Sequence, residues 1–151
     1  MITIEEFKKK HSNKARFVGL DLGSKRIGVS ICDERQSIAT PFKTINKTNT
    51  NELIEMLKIV IKENNIKGII IGNPINMDGS LGRSAQSVND VASNISKSID
   101  LPVILWDERL STVGAFKLSG QLDINVSKRV KTIDQNAAAF ILQGAIDYLN
   151  N

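Results

Sequence analysis

The stretch FVGLDLGSKRIGVSIC, residues 17–32, decides the fold. Two β-rich runs, 17–22 and 26–32, flank a short turn, so this stretch predicts an antiparallel hairpin. A third run, 37–45, follows a polar turn and extends the hairpin to a three-stranded meander. Pro41 lies within the third run and has no backbone N–H to donate, which indicates that this strand is at an edge of the sheet.

After the meander, segments of helical period alternate with short apolar strands. Thr50 or Asn51 is the predicted N-cap of a helix that Asn64 and Asn65 close, and a buried strand over 67–72 follows. Further along, the pattern predicts a helix over 83–98, a strand over 101–106, a short helix over 111–118, an irregular basic segment over 120–132 and a last helix over 134–149. Right-handed crossovers then give an α/β fold: a five-stranded mixed sheet, made of the meander and two parallel strands, with helices on both faces.

Composition is that of an ordinary globular domain. The chain has 151 residues and 41% hydrophobic residues, which is enough for one core of its own. No apolar run reaches the roughly 18 residues that span a bilayer, and the N-terminus has no apolar secretory segment. We expect a cytoplasmic protein with a polar extension over 1–15 and a single domain over 16–151. The single cysteine, Cys32, fits a reducing compartment.

The charge permits a nucleic-acid partner. The net charge is +4, and aromatic residues make up only 5% of the chain. A protein that stacks unpaired bases on aromatic side chains would have more of them. We therefore expect any nucleic acid to be held mainly through its backbone and shape.

Three carboxylates lie where the predicted topology could bring them together. Asp21 has apolar neighbours on a central strand, where a carboxylate is costly unless it is paired or binds a metal. Glu108 follows a parallel strand at the carboxyl rim of the sheet, and Asp134 is predicted to open the last helix. Such an oxygen-only set suits Mg²⁺ or Mn²⁺, and one or two of these ions could support an in-line phosphoryl displacement.

Each acid also has a structural interpretation. Asp134 could simply cap its helix, and Glu108 could pair with Arg109. Asp107 could cap the turn that follows its strand while Glu108 carries the chemistry. Asp21 is the strongest candidate, because its apolar flanks leave few structural roles for a carboxylate.

A loop rich in Gly, Pro and Asn, GNPINMDGS at 72–80, precedes the predicted helix. Its backbone amides could bind an anion, as could the helix N-terminus, although an ordinary polar loop is the alternative. The rim loops also carry cations, which singly are ordinary surface charges but together suggest a cleft for a nucleic-acid backbone. The predicted nucleic-acid contacts are Lys25, Arg26, Asn76, Asp78, Ser80, Arg83, Arg109, Lys128, Arg129 and Lys131.

Four segments lie in order over residues 17–149: VGLDLGSKRIGVSICD, GNPINMDGSLGRSA, DERLSTVGA and KTIDQNAAAFILQGAIDYL. Together they resemble the signature segments of the YqgF (RuvX) family. The resemblance implies the RNase H-like fold of the resolvase RuvC and a metal-dependent endonuclease. It also implies that Asp21, Glu108 and Asp134 are the catalytic and metal-binding acids. Asn73, where the family usually has Leu, and Cys32, where it usually has Ser or Thr, are departures outside this acidic set.

The resemblance further implies processing of the 5′ end of pre-16S rRNA, with pre-rRNA as the favoured partner and ribosomal precursor particles as a further one. Within the nuclease class, the alternative is a Holliday-junction resolvase acting on four-way DNA. That activity would need a dimer with two sites, whereas a monomer is favoured here. Two other classes stay open: a non-catalytic RNase H-like module that binds nucleic acid, and an ATP-binding protein of the actin and hexokinase superfamily. The second is disfavoured because its fold needs two duplicated halves.

Overall fold

The computed structural model describes residues 1–10, 15–74, 82–108 and 126–151, with backbone alone for 83–85 and 126–135. Five strands lie in the described part of the chain: β1 Arg16–Leu22, β2 Arg26–Cys32, β3 Ala39–Asn46, β4 Ile66–Asn73 and β5 Val103–Asp107. They are accompanied by helices α1 Ile4–Lys10, α2 Thr50–Asn64, α3 Arg83–Ser98 and α4 Val126–Asn150. The predicted short helix over 111–118 lies outside the described residues.

The strands form one mixed sheet in the order β3-β2-β1-β4-β5. The β1–β2 and β2–β3 pairs are antiparallel, and the β1–β4 and β4–β5 pairs are parallel. The predicted topology is therefore confirmed, with β1 at the centre and β3, which contains Pro41, at an edge. Since β1, β4 and β5 run the same way, their carboxyl ends lie side by side at one rim of the sheet.

Apolar side chains cover both faces of the sheet, as the sequence predicts. On one face, α2 and α3 enclose a core that includes Leu20, Ile69 and Ile71. On the other face, α4 and α1 enclose a second core that includes Ile70 and Trp106. The alternation along each strand thus assigns every rim residue to one face or the other.

Helix α2 begins one or two residues earlier than the predicted N-caps would place it. Asn49, rather than Thr50 or Asn51, is the N-cap, and its side chain accepts a hydrogen bond from the backbone N–H of Glu52. This bond satisfies one of the free donors of the first turn. At the other end, Asn65 takes the left-handed conformation (φ 54°, ψ 48°) and ends the helix as predicted.

Helix α4 is longer than predicted, and this changes the position of Asp134. The helix begins at Val126, so Asp134 lies inside it and the expectation that this acid opens the helix is wrong. The segment KRVKTID contains no Gly or Pro, and Lys and Arg are good helix formers. The helix therefore includes residues 126–132, the last part of the segment predicted to be irregular and basic, with Lys128, Arg129 and Lys131.

The N-terminal residues contribute to the second core. Ile2 forms a parallel bridge with Ile104 of β5, and its N–H donates to the carbonyl of Val103 at 3.2 Å. Phe7 of α1 is buried and meets Phe17 edge-to-face, with ring centroids 5.5 Å apart. These contacts cover the outer edge of β5. Among the described residues, no helix is both long and apolar enough to cross a membrane.

Helix α4 approaches the sheet closely, because small residues face it. A Cβ atom on Gly19 would lie 2.5 Å from the Oγ of Ser30 and 2.7 Å from the Cβ of Leu142. The Ser30 hydroxyl donates to the carbonyl of Ala138 at 2.7 Å, which joins β2 directly to the helix backbone. Glycine at position 19 is thus required by the space available, and not by the backbone conformation.

We expect Gly19→Ala to destabilise the fold by about 2 kcal/mol, the cost of overpacking a close-packed interior. The added methyl group would push α4 away from β1. Urea denaturation of this variant and of Ser98→Ala, an exposed change on α3, measures the difference. Equal midpoints for the two variants would contradict the close packing described here.

Candidate active site

The candidate site lies at the carboxyl rim of β1, β4 and β5. In the register of the sheet, Leu20 pairs with Ile71, and Asn73 pairs with Asp107. Asp21 directly follows the first of these pairs, and Glu108 directly follows the second. Two of the three predicted acids therefore reach the same rim.

Both of these acids point to the α4 face of the sheet. Gly19 faces α4, and Asp21 lies two residues further along the same strand, so its side chain is on that face too. A Cβ atom on Gly72 would lie 2.5 Å from the Cδ1 of Ile141 in α4 and 3.0 Å from the Oε1 of Glu108. The Glu108 carboxylate thus lies over the bare backbone of Gly72, in the space between β4 and α4.

The surroundings of Glu108 disfavour its charged form. Burial, followed by the charges of Asp21 and Asp107, raises the pKa of Glu108 from 4.5 to about 7. Near neutral pH, Glu108 is therefore close to half protonated. A divalent cation at the rim would reverse the balance, because it would attract the carboxylates that now repel each other.

The donor set at this rim fits a hard cation. Asp21 and Glu108 offer partly buried carboxylate oxygens on one face, the ligands that Mg²⁺ and Mn²⁺ prefer. Within the residues that the structure describes, no group of three or more His, Cys, Asp or Glu side chains forms a complete metal cage.

Asp134 is placed by its helix backbone. It lies four residues before Ala138, so its Cα is on the same face of α4 and one turn away. Ala138 is tied to β2 through Ser30, next to Gly19. The backbone thus puts Asp134 on the helix face that meets the sheet, without the support of a helix N-terminus.

Asp107 and Asn73 lie on the opposite face, toward α3. They are paired in the parallel register and so lie side by side. Because Asp107 directly precedes Glu108, the two acidic side chains point to opposite faces of the sheet. Asn73 is buried, and its Oδ1 has no hydrogen-bond partner among the described residues. That Glu108 rather than Asp107 carries the chemistry stays a prediction.

The predicted cations are only partly described. Lys25 and Arg26 are exposed at the β1–β2 turn, next to the acidic rim. Arg83 begins α3, and Lys128, Arg129 and Lys131 lie in the first turns of α4, where the backbone alone is described. The remaining predicted contacts lie outside the described residues: Asn76, Asp78, Ser80 and Arg109.

The structure adds three residues that the sequence analysis missed. Gly72 leaves room for the Glu108 carboxylate. The backbone N–H of Lys47 donates to the carbonyl of Lys25 at 2.8 Å, which puts another cation beside the turn. Thr44 pairs with Gly28, which in turn pairs with Asp21, so Thr44 and Asp21 share a row on the α4 face with only a glycine between them. Pairing register reveals Thr44, whereas Gly72 and Lys47 are revealed by their contacts with distant parts of the chain.

Comparison with known proteins identifies the family. A family model described as RuvX, Holliday junction resolvase, matches residues 15–148. The chain is 89% identical over 151 residues, the whole of both chains, to a Pelagibacter ubique protein provisionally named pre-16S rRNA nuclease. It is 43% identical over 148 residues to a Cereibacter sphaeroides protein of the same provisional name, covering 98% of this chain and 92% of that protein.

Solved structures agree on the fold. RuvC of T. thermophilus in complex with a Holliday junction substrate has a TM-score of 0.53 and 10% identity, and the match covers 89% of this chain and 94% of that one. A second T. thermophilus RuvC structure gives a TM-score of 0.51 at 11% identity, covering 88% of this chain and 95% of that one. At such low identity these matches establish the fold alone, which is the predicted RNase H-like one. With the family model matching nearly the whole sequence, the chain belongs to the RuvX family.

Proposed function

We propose that this chain is a metal-dependent endonuclease that processes the 5′ end of pre-16S rRNA during ribosome assembly in the cytoplasm. The observation that carries the proposal is the Asp21–Glu108 pair, two partly buried acids on one face of the carboxyl rim. The provisional names of the relatives support the rRNA substrate. A mutually repelling pair of this kind is more typical of a functional site than of a structural one.

In the proposed mechanism, Asp21, Glu108 and Asp134 hold one or two Mg²⁺ or Mn²⁺ ions. Such ions activate water near neutral pH and stabilise the charge that develops on a phosphodiester. The chain's own part is to orient the substrate: Lys25 and Arg26 attract the phosphates that flank the scissile one. Hydrolysis then leaves a 5′-phosphate and a 3′-hydroxyl end.

A second candidate is resolution of four-way DNA junctions, which the description of the family model favours. Two symmetric cuts need two sites, so this activity would require a dimer of the chain. We therefore propose a direct comparison of a pre-16S rRNA 5′ leader with a four-way DNA junction, each with Mg²⁺ or Mn²⁺. RNA cleavage is expected. Symmetric junction cuts with intact RNA would make the chain a resolvase, and cleavage of neither would favour a non-catalytic binding module.

Removal of either acid should abolish cleavage. We expect Asp21→Asn and Glu108→Gln each to lower kcat by more than about 100-fold. Loss of a residue that only supports a metal ligand already costs up to about 100-fold, and a direct ligand should cost more. Single-turnover cleavage of the RNA leader measures the loss, and EDTA should have the same effect on the wild type. Glu55→Gln, an exposed change on α2, is the control. Near wild-type cleavage by Asp21→Asn would refute the metal assignment.

Cleavage should increase as the pH rises through about 7. Glu108 must lose its proton before it can bind a cation, and its pKa in the metal-free protein is about 7. Because protons and metal ions compete for the same oxygens, a higher Mg²⁺ concentration should move the midpoint of the pH profile to lower pH. A midpoint of kcat/KM that does not move with Mg²⁺ would contradict a role for Glu108 as ligand.

The same group should affect folding stability in the absence of metal. The pKa of Glu108 in the native state lies above its usual 4.5, so the native state holds this proton more tightly than the unfolded chain does. The contribution of Glu108 to stability is thus present below about pH 4.5 and lost as the pH rises to about 7. Urea denaturation across this pH range measures the free energy of unfolding. This free energy should decline less with rising pH in Glu108→Gln than in the wild type, and Glu55→Gln should follow the wild type.

A further inference from the structure

An open cavity of about 580 Å³ lies beside the acidic rim, on the other face of the sheet. Its walls are the β1–β2 turn, the first turn of α2 and the N-terminal half of α3. The volume falls within the range of sites that bind small molecules, roughly 300–1,000 Å³. The mechanism proposed above makes no use of this cavity.

The cavity combines an apolar floor with a polar edge. The floor consists of Leu22, Ile27, Leu53, Val88 and Val91. Hydroxyl and amide groups surround the opening, among them those of Ser24, Asn49, Thr50 and Ser87. A nucleobase has the matching chemistry, since its flat faces are apolar and its edge carries hydrogen-bond donors and acceptors.

The charge at the opening suits a phosphate. Lys47 is the only ionisable residue among those that line the cavity in the described part of the chain. Its backbone is tied to Lys25 across the turn, so two exposed lysines lie close together there. The nearby carboxylate of Glu52 accepts a hydrogen bond from the Thr48 hydroxyl, within the cap of α2. The two lysines outnumber this carboxylate, so the charge around the opening favours an anionic ligand.

Neighbouring residues of β1 line the cavity and the candidate active site. Leu22 lines it and directly follows Asp21, and the alternation of β1 turns these two side chains to opposite faces of the sheet. Gly23 and Ser24 form the turn that separates the two spaces. A strand that crosses this turn could therefore present one phosphate to the acids and a neighbouring base to the cavity.

On this basis we propose that the cavity binds one unpaired nucleotide of the substrate, adjacent to the cleaved phosphodiester, with its base on the apolar floor and its phosphate near Lys47. The proposal rests on the nuclease function and narrows it: the substrate must be single-stranded or unpaired beside the cut. Unpaired, unstacked bases are the usual targets of sequence-selective RNA recognition. Fully paired nucleic acid would leave the cavity unused.

Binding of free nucleotides tests the cavity without any cleavage. We expect nucleoside 5′-monophosphates to shift the methyl NMR signals of Leu22, Leu53, Val88 and Val91 in the metal-free wild-type protein. The methyl signals of Ile70 and Ile146, buried on the other face, serve as the internal reference. The same shifts with inorganic phosphate alone would show that an anion binds without a base and would overturn the proposal. No shifts with either ligand would also overturn it.

A filled cavity tests the link to the substrate. Ser87 is exposed at the opening, so Ser87→Trp should fill it without disturbing the core. We expect this variant to raise KM for the RNA leader about tenfold, with little change in kcat. A tenfold change in affinity is about what the loss of one base contact would cause. Ser98→Trp, an equally exposed change on the same helix, is the matched control. Lys47→Gln should raise KM in the same direction, and Lys62→Gln, at the far end of α2, should not.

The two proposals can fail separately. If the wild-type chain cleaves neither RNA nor junction, the nuclease function fails, and the nucleotide titration still decides whether the cavity binds a base. If the chain cleaves RNA and Ser87→Trp behaves like Ser98→Trp, the cavity proposal fails and the nuclease function stands. Equal weakening of a fully paired substrate and an unpaired one by Ser87→Trp would also overturn the cavity proposal.

Discussion

The contact between α4 and the centre of the sheet is the constraint on which the candidate site depends. Gly19 and Gly72 present bare backbone to the helix, and the Ser30 hydroxyl binds the carbonyl of Ala138. Larger residues at these positions would hold α4 further from the sheet. The distance between helix and sheet in turn determines how far Asp134, on the helix, lies from Asp21, on the strand. The close packing of α4 on the sheet therefore also sets the separation of these two acids at the rim.

The same closeness sets the electrostatics. Glu108 lies over Gly72 and below α4, where it loses much of its hydration and remains within the field of Asp21. Loss of hydration and repulsion act in the same direction, and both favour the protonated acid. A protein that needed only a stable rim would gain from an apolar residue at this position. The presence of an acid there is understandable if a cation balances the charge, so the pair is stronger evidence for a functional site than either residue alone.

Much of the fold follows from patterns within the sequence. The hairpin, the edge position of β3, the buried strands β4 and β5 and the two faces of the sheet all agree with hydrophobic period and turn residues. Asp21 and Glu108 were also recognisable, because an acid within an apolar strand or directly after one is unusual. The start of α4 was not predictable in this way: the acid at 134 looks like a cap, yet a run of good helix formers precedes it. Contacts between distant parts of the chain, such as the row that joins Thr44 to Asp21 and the hydrogen bond from Lys47 to Lys25, leave no trace in a local pattern.

The β1–β2 turn gives the site two sides. Along β1, Asp21 faces α4 and Leu22 faces α2 and α3. The first side chain therefore belongs to the acidic rim, and the second lines the cavity. One side is acidic and suited to a cation; the other is an open cavity, mainly apolar and free of acidic lining residues within the described chain. A nuclease must distinguish the bond it cuts from many identical ones, and phosphate contacts alone carry no information about sequence or pairing. A cavity that accepts a base within one turn of the acids would supply this information, because only an unpaired nucleotide can enter it. Selectivity and chemistry would then share a single hairpin, the one that also organises the sheet.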